Sequence, residues 1–183
     1  MVLASASPRR RELLTLLGIE FDVVVPVVEE LTEGNPAELV VANALRKARA
    51  GRAIVPPESV VLGVDTDVSI DGALLGKADD PDGASARLRQ ISGRSHEVLS
   101  GIAIAVADDV RTELVRTRVT FRALGEEEVA RYVASGEWRD RAGAYAVQGL
   151  GSALIERVEG DLSNVIGLPI PALSRMIASL QDH

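Results

Sequence analysis

The sequence predicts an α/β fold: a mixed, twisted sheet with helices flanking it. Short continuous apolar runs such as SVVLG (residues 59–63) and VLA (residues 2–4) read as buried strands. Other stretches carry apolar residues at helical spacing between a capping residue and a glycine. These elements intermingle along 183 residues without strict β-α-β alternation, which argues for a mixed sheet. No repeat, low-complexity tract or long linker divides the chain. Residues 1–183 therefore read as a single domain, with room for two lobes sharing a core.

Val2–Ala4 is a short buried strand leading into a helix. Ser7 stands at the capping position and Pro8 at the first helical one. RELLTLLG follows, with Leu13, Leu14 and Leu17 on one face and Gly18 as the stop. FDVVVPVV (Phe21–Val28) reads as a second strand, Pro26 marking an edge or an end. The acidic pair Glu29–Glu30 falls in a polar loop. Asn35-Pro36, with Glu38 three residues after Asn35, opens a helix that runs to Gly51.

Ser59–Asp65 has the pattern of a central strand ending in a carboxylate, and Asp71-Gly72 makes a hairpin turn before ALLGK. DPDGASARLRQISG is a short helix that buries Ala84, Leu88 and Ile91. HEVLSGIAIAVADD and RTELVRTRVTF form an antiparallel hairpin whose second strand alternates Val115, Thr117, Val119 and Phe121. EEEVARYVASG is helical, AYAVQG and SALIERVEG are short extended segments, and LPIPALSRMIASL is a closing helix.

Composition narrows the function. Aromatic residues make up only 3% of the chain, so Val, Leu, Ile and Ala must build the core. The absence of cysteine excludes disulfides, thiol catalysis and cysteine metal sites, and fits a cytoplasmic location. No apolar run approaches the roughly 18 residues of a membrane span, and the N-terminus does not read as a signal peptide. The net charge of −7 argues against general nucleic-acid binding but leaves room for a small anion where basic residues converge.

Arg9, Arg10 and Arg11 are such a place. They occupy a first helical turn, where the macrodipole favours anions and a capping box would put Glu or Gln at position 10. Each misplaced cation costs about 0.3–1 kcal/mol, whereas a charge-assisted bond to phosphate contributes about 1.5–3 kcal/mol. A bound phosphate would outweigh the misplacement, and the alternative is that the arginines splay into solvent or pair with Glu12. On the phosphate reading, removing Arg10 weakens binding of the phosphorylated ligand and leaves stability unchanged or raised.

GVDTDV delivers Asp65, Thr66 and Asp67 at a strand end, a common place to hold Mg²⁺ or activate water. A strand-terminating turn is the plainer alternative. Lys77 stands on the return of the Asp71-Gly72 hairpin, which can bring a cation beside Asp65. Lys47 sits late on its helix, where lysine is favourable anyway, and Glu30 belongs to a loop that is ordinarily solvated. RAGAYAVQGLG (Arg141–Gly151) permits close backbone approach to a ligand, with Gln148 able to pair with a base edge, or else forms a tightly packed turn. His96 and His183 have no ligand partners at metal spacing and read as structural.

As a set, these segments resemble the Maf family of nucleoside triphosphate pyrophosphatases. LASASPRRRELL, the Glu29–Glu30 loop, ALRKARA, GVDTDV, LLGK, LRQISGRSHEVLSG, RYVASGEWRDRAGAYAVQGLG and NVIGLP occur in the family's order across nearly the whole chain. The resemblance implies a two-lobed fold like that of inosine triphosphate pyrophosphatases, with a cleft between lobes. It implies hydrolysis of a nucleoside triphosphate to the monophosphate and pyrophosphate, with Mg²⁺ or Mn²⁺ as the divalent cofactor, and homodimers as a common assembly.

On this sequence the resemblance makes Asp65 the proton acceptor, with Glu30 and Lys77 as catalytic partners and Glu30 and Asp65 as metal ligands. Arg9, Thr66 and Gln148 match positions linked to substrate choice, and the pairing of Thr66 with Gln148 resembles the branch acting on dTTP and UTP. Ser7, Arg10 and Lys47 complete the polar pocket. Three positions depart from the family pattern: Ala78 follows Lys77 where proline is usual, Asp67 adds a charge, and Arg141 replaces a lysine. An alternative of another class is a nucleotide-sensing regulator of cell division that needs no turnover. A phosphatase releasing orthophosphate is a third.

Overall fold

The computed structural model describes residues 1–181, so His183 lies outside the described residues. The chain is a mixed α/β protein with a seven-stranded sheet. In chain order its elements are β1 (Val2–Ala4), α1 (Pro8–Leu16), β2 (Asp22–Val24), α2 (Pro36–Arg52), β3 (Val61–Ile70) and β4 (Ala73–Leu74). Then come α3 (Pro81–Ile91), β5 (Ser95–Val106), β6 (Asp109–Phe121), α4 (Glu126–Ser135), a short 3₁₀ helix (Gly149–Leu154), β7 (Ile155–Glu159), α5 (Leu162–Ile166) and α6 (Ile170–Gln181). Strand order is β2-β1-β3-β5-β6-β7, with β4 paired to β3. β1 runs parallel to both β2 and β3, whereas β3–β4 and β6–β7 are antiparallel. No described helix is long and apolar enough to cross a membrane.

The chain divides into two compact units. The first comprises Met1–Thr66, Ser100–Val115 and the chain from Gly167 onward. Its core includes Val2, Ala4, Ala44, Ala48, Val61, Ala103 and Ala105, small and branched residues that let α2 lie close to the strands. The second comprises Asp67–Leu99 and Arg116–Ile166. Its core gathers Leu88, Ile91, Val119, Phe121, Tyr132, Trp138 and Tyr145, so three of the larger aromatic side chains of this aromatic-poor protein pack in one place beside Phe121.

The local signals act as their chemistry dictates. Asn35 caps α2 by accepting the Ala37 N–H at 3.0 Å, and Asp80 caps α3 by accepting that of Gly83 at 2.7 Å. Ala84, Leu88 and Ile91 form the buried face of α3. The β3–β4 turn is made by Asp71 and Gly72, both at positive φ (53° and 78°), as a tight two-residue hairpin requires.

Several expectations need correction. β2 is only Asp22–Val24, an edge strand that ends before Pro26 because proline offers no N–H to extend the ladder. Leu17 is 41% exposed, and the face of α1 that turns inward carries Arg10, Leu13 and Leu14. β3 does not stop at Asp65 but continues to Ile70, because Val68 and Ile70 are buried in the second unit's core. AYAVQG is not a strand, and Ser152–Leu154 belong to the 3₁₀ helix, with β7 beginning at Ile155. The five-residue α5 carries too short a pattern to read from sequence.

Candidate active site

Gly63 and Gly101 decide where α2 lies. A Cβ on Gly63 would come within 2.3 Å of the Ala44 carbonyl oxygen and 2.6 Å of the Ala48 nitrogen. One on Gly101 would come within 2.1 Å of the Val40 carbonyl oxygen. Only glycine lets the helix backbone rest directly on β3 and β5. Asp65 lies two residues beyond Gly63, on the same side of β3, so this seat brings Asn43 and Lys47, neighbours on α2 one turn apart, to its carboxylate.

Lys47 Nζ donates to Asp65 Oδ1 at 2.6 Å and lies 2.6 Å from Glu30 Oε1. The Lys47 and Asp65 side chains are 15% and 14% exposed, that of Glu30 51%. Two carboxylates thus share one ammonium in a partly desolvated place, where charges interact more strongly than at the surface. Asn43, a polar residue in the buried face of α2, accepts the Leu31 N–H at 2.8 Å through Oδ1. Its Nδ2 donates to the Leu31 carbonyl at 3.0 Å and to Asp65 Oδ2 at 3.3 Å. Arg46 donates to the Glu29 carbonyl at 2.8 Å.

Thr66 points to the other side of β3. Its Oγ1 accepts from Arg10 Nη2 at 3.3 Å, lies 2.8 Å from the buried Ser100 Oγ, and donates to the Gly167 carbonyl at 3.4 Å. One donor and two acceptor sites are all that a hydroxyl has, so Thr66 is fully engaged. Arg10 is buried, its Nε donating to the Gly167 carbonyl at 2.9 Å and its Nη1 to Ser5 Oγ at 2.8 Å. Burial lowers its pKa to about 10, with Arg9 adding to the shift and Asp65 and Glu30 opposing it, so it stays cationic at neutral pH.

The three arginines of the first turn therefore part ways. Arg10 is an internal cation, Arg11 donates to the Ala6 carbonyl at 2.7 Å, and Arg9 is half-buried. Ser7 occupies the N-cap, but its side chain makes no capping bond; its N–H donates to Ser5 Oγ at 3.2 Å. The expectation that removing Arg10 spares stability is overturned, because three hydrogen bonds and a buried guanidinium would go with it.

Lys77 and Gln148 belong to the second unit, and both are exposed. The return that carries Lys77 is held from two sides. Asp67 Oδ1 accepts the N–H groups of Val68 at 2.7 Å and Gly76 at 3.1 Å, which gives the departing carboxylate a physical account. Arg87 donates to the carbonyls of Leu75 at 2.8 Å and Lys77 at 2.7 Å. Gln148 precedes the 3₁₀ helix, and the Glu137 carboxylate accepts the N–H groups of Leu150 and Gly151 there at 3.0 and 3.1 Å. Of the small-residue block, Gly143–Ala146 is buried, and Arg141 donates to the Glu137 carbonyl at 2.6 Å.

His96 has the structural place expected of it. Its Nε2 lies 2.8 Å from the Tyr145 hydroxyl, edge-on to the Phe121 and Tyr145 rings, and burial lowers its pKa to about 4.

Glu30 and Asp65 already converge on one cation, the Lys47 ammonium, and two carboxylates supplemented by phosphate oxygens and water make a usual Mg²⁺ set. Among the described residues no group of three or more His, Cys, Asp or Glu side chains is placed to hold a metal. The residues brought together in the first unit are Arg10, Glu30, Lys47, Asp65 and Thr66. Those missed from sequence are Ser5, Asn43, Arg46, Ser100 and Gly167. Asn43 had a legible signal, an amide four residues before Lys47 within an apolar stripe; Ser5, Ser100 and Gly167 had none.

The sequence pattern of the family described as Maf-like protein matches residues 1–180. Proteins named dTTP/UTP pyrophosphatase from Deinococcus radiodurans and Symbiobacterium thermophilum are each 46% identical over 97% of this chain, and over 91% and 92% of their own lengths. One of the same name from Bacillus cytotoxicus is 45% identical over 95% of this chain and 92% of its own. The structure of the Staphylococcus aureus Ham1 protein aligns with a TM-score of 0.44 and 14% identity over 66% of this chain and 69% of that one. With the family pattern running through residues 1–180 and relatives matched nearly end to end, this chain belongs to the Maf family.

Proposed function

We propose that this chain, acting as one functional domain, is a nucleoside triphosphate pyrophosphatase that prefers dTTP and UTP and clears surplus or noncanonical nucleotides. The observation that carries the reading is the Asp65 carboxylate, oriented by donors from Lys47 and Asn43 and flanked by the buried cation Arg10. Such a group can take a proton from water beside cations able to neutralise polyphosphate oxygens. The names borne by relatives at 45–46% identity support the same chemistry.

In the proposed reaction, water adds to a phosphorus of the α–β bridge and the bridging P–O bond breaks. The water's proton passes to Asp65, and pyrophosphate departs from the nucleoside monophosphate. Lys47 and Arg9 offset phosphate charge, and Ser7 offers a hydroxyl to the same oxygens. Arg10 contributes charge while its bonds hold Ser5, Thr66 and the Gly167 carbonyl in register.

The resemblance makes Lys77 a catalytic partner in the polar pocket and links Gln148 to substrate choice, and the Gln148 amide has the donor and acceptor to meet a base edge. Uracil and thymine present an acceptor-donor-acceptor row, two members of which one amide can satisfy, whereas cytosine reverses the pattern. Thr66, with its hydroxyl engaged, acts by shape and by positioning its neighbours. Glu30 and Asp65 would hold Mg²⁺ or Mn²⁺ together with substrate phosphates, and the ion would supply further neutralisation of phosphate charge.

The test is a nucleotide panel with Mg²⁺ or Mn²⁺ in which both products are identified. Monophosphate plus pyrophosphate, fastest from dTTP and UTP, is expected. Diphosphate plus orthophosphate would overturn the assignment. Binding without turnover would favour a sensing role.

A further inference from the structure

Residues 43, 46 and 47 of α2 lie on one helical face, and each holds one of three consecutive loop residues. Arg46 takes the Glu29 carbonyl, Lys47 the Glu30 carboxylate, and Asn43 both backbone groups of Leu31. The Asn43 amide can sit only one way round: flipped, its oxygen would face the Leu31 carbonyl and the Asp65 carboxylate, two acceptors. In the observed sense both Nδ2 hydrogens and the Oδ1 acceptor are used, on a side chain of a residue only 4% exposed. A buried amide at an apolar position of a helix costs desolvation unless its partners repay it. Here the partners are the acidic loop and the proposed base.

We infer that Asn43 is a positioning residue: it locks the loop that carries Glu30 onto α2 and holds the Asp65 carboxylate in the orientation that hydrolysis needs. It acts through the Asp65 carboxylate to which it donates, so the inference rests on the reading of Asp65 as proton acceptor. Lys47 from α2, Glu30 from the loop and Arg10 from α1 supply the surrounding charge, and Asn43 supplies direction.

The test is a double-mutant cycle on the full chain, with dTTP and Mg²⁺ as the probe and thermal melting to establish folding. Asn43→Leu keeps the branched shape and removes all three bonds; Asn43→Asp keeps the Leu31 N–H bond, loses both donors, and decides the matter if the leucine variant does not fold. Each is expected to lower kcat on the order of 10–10²-fold with KM changed by less than about threefold. In an Asp65→Asn background the same changes are expected to cost no further rate, because the group they orient is gone. A folded Asn43 variant with normal kcat overturns the inference, and so does a full additional loss in the Asp65→Asn background. Wild-type rate in Asp65→Asn alone would instead refute the base assignment, without reference to Asn43.

Discussion

Replacing Gly63 by alanine tests whether backbone contact between α2 and β3 sets the geometry of the site. The added Cβ would meet the Ala44 carbonyl oxygen at 2.3 Å, the Ala48 nitrogen at 2.6 Å and the Ala48 Cβ at 3.0 Å, where ordinary contact begins near 3.4 Å. Two of the three are helix backbone atoms, so no rotamer relieves the clash, and helix and strand must separate by about 1 Å. Overpacking of this kind costs roughly 1–3 kcal/mol, which for a chain this size lowers Tm by about 3–10 °C. The same shift would carry Asn43 and Lys47 away from Asp65, whose bonds to them are 3.3 and 2.6 Å. A misplacement of about 1 Å corresponds to a loss of kcat on the order of 10²-fold. Thermal melting and pyrophosphate release, assayed well below the lowered Tm, read the two effects. Leu88→Ala, in the second unit's core, provides the comparison: it should lower Tm at least as much with kcat retained. An unchanged Tm for Gly63→Ala would refute the contact, and a lowered Tm with wild-type kcat would refute its role in the site.

Four further outcomes are expected. Asp65→Asn should stay folded and lose roughly 10²–10⁴-fold in kcat, measured by pyrophosphate release. Arg10→Met should weaken dTTP binding and also destabilise by about 1–3 kcal/mol, read by calorimetry and urea melts, because Ser5 and Gly167 lose their donor. His96 is neutral in the native state with its pKa lowered to about 4 by burial, while the unfolded chain protonates it below 6.5. Stability should therefore fall as pH drops from 6.5 toward 4, by up to about 3 kcal/mol, and His96→Gln should remove that part of the curve in urea melts. Gln148→Glu should narrow the ratio of kcat/KM for dTTP over CTP, and an unchanged ratio would take the base edge away from this residue.

The helices were legible where chemistry is local. Asn35, Asp80 and the Asp71-Gly72 pair act within three or four residues, and their structures follow from their own side chains. Asp65 and Arg10 stood out because charges in apolar or dipole-opposed settings need partners, whereas Lys47 was marked only by the family resemblance. What escaped was set by contacts distant in sequence. β3 continues past its carboxylates because Val68 and Ile70 find a core assembled from α3, β6 and α4. The dipole-opposed place of Arg10 is legible, but the carbonyl of Gly167 and the hydroxyls of Ser5 and Thr66 that gather around it are not. Asp67 reads as surplus charge until the hairpin returns Gly76 to it.

The bond from Arg10 to the Gly167 carbonyl joins residues 157 positions apart, and the first unit draws on three separate stretches of chain. During synthesis the N-terminal helix therefore emerges long before the group that fixes its buried cation. Closing so large a loop precedes any reward from the contact, which places this step late in folding. A nascent chain halted before Gly167 would carry Asp65 and Lys47 yet lack the acceptor that steadies Arg10 beside Thr66. A site that depends on the steadied Arg10 is thus complete only once the chain has been made past Gly167.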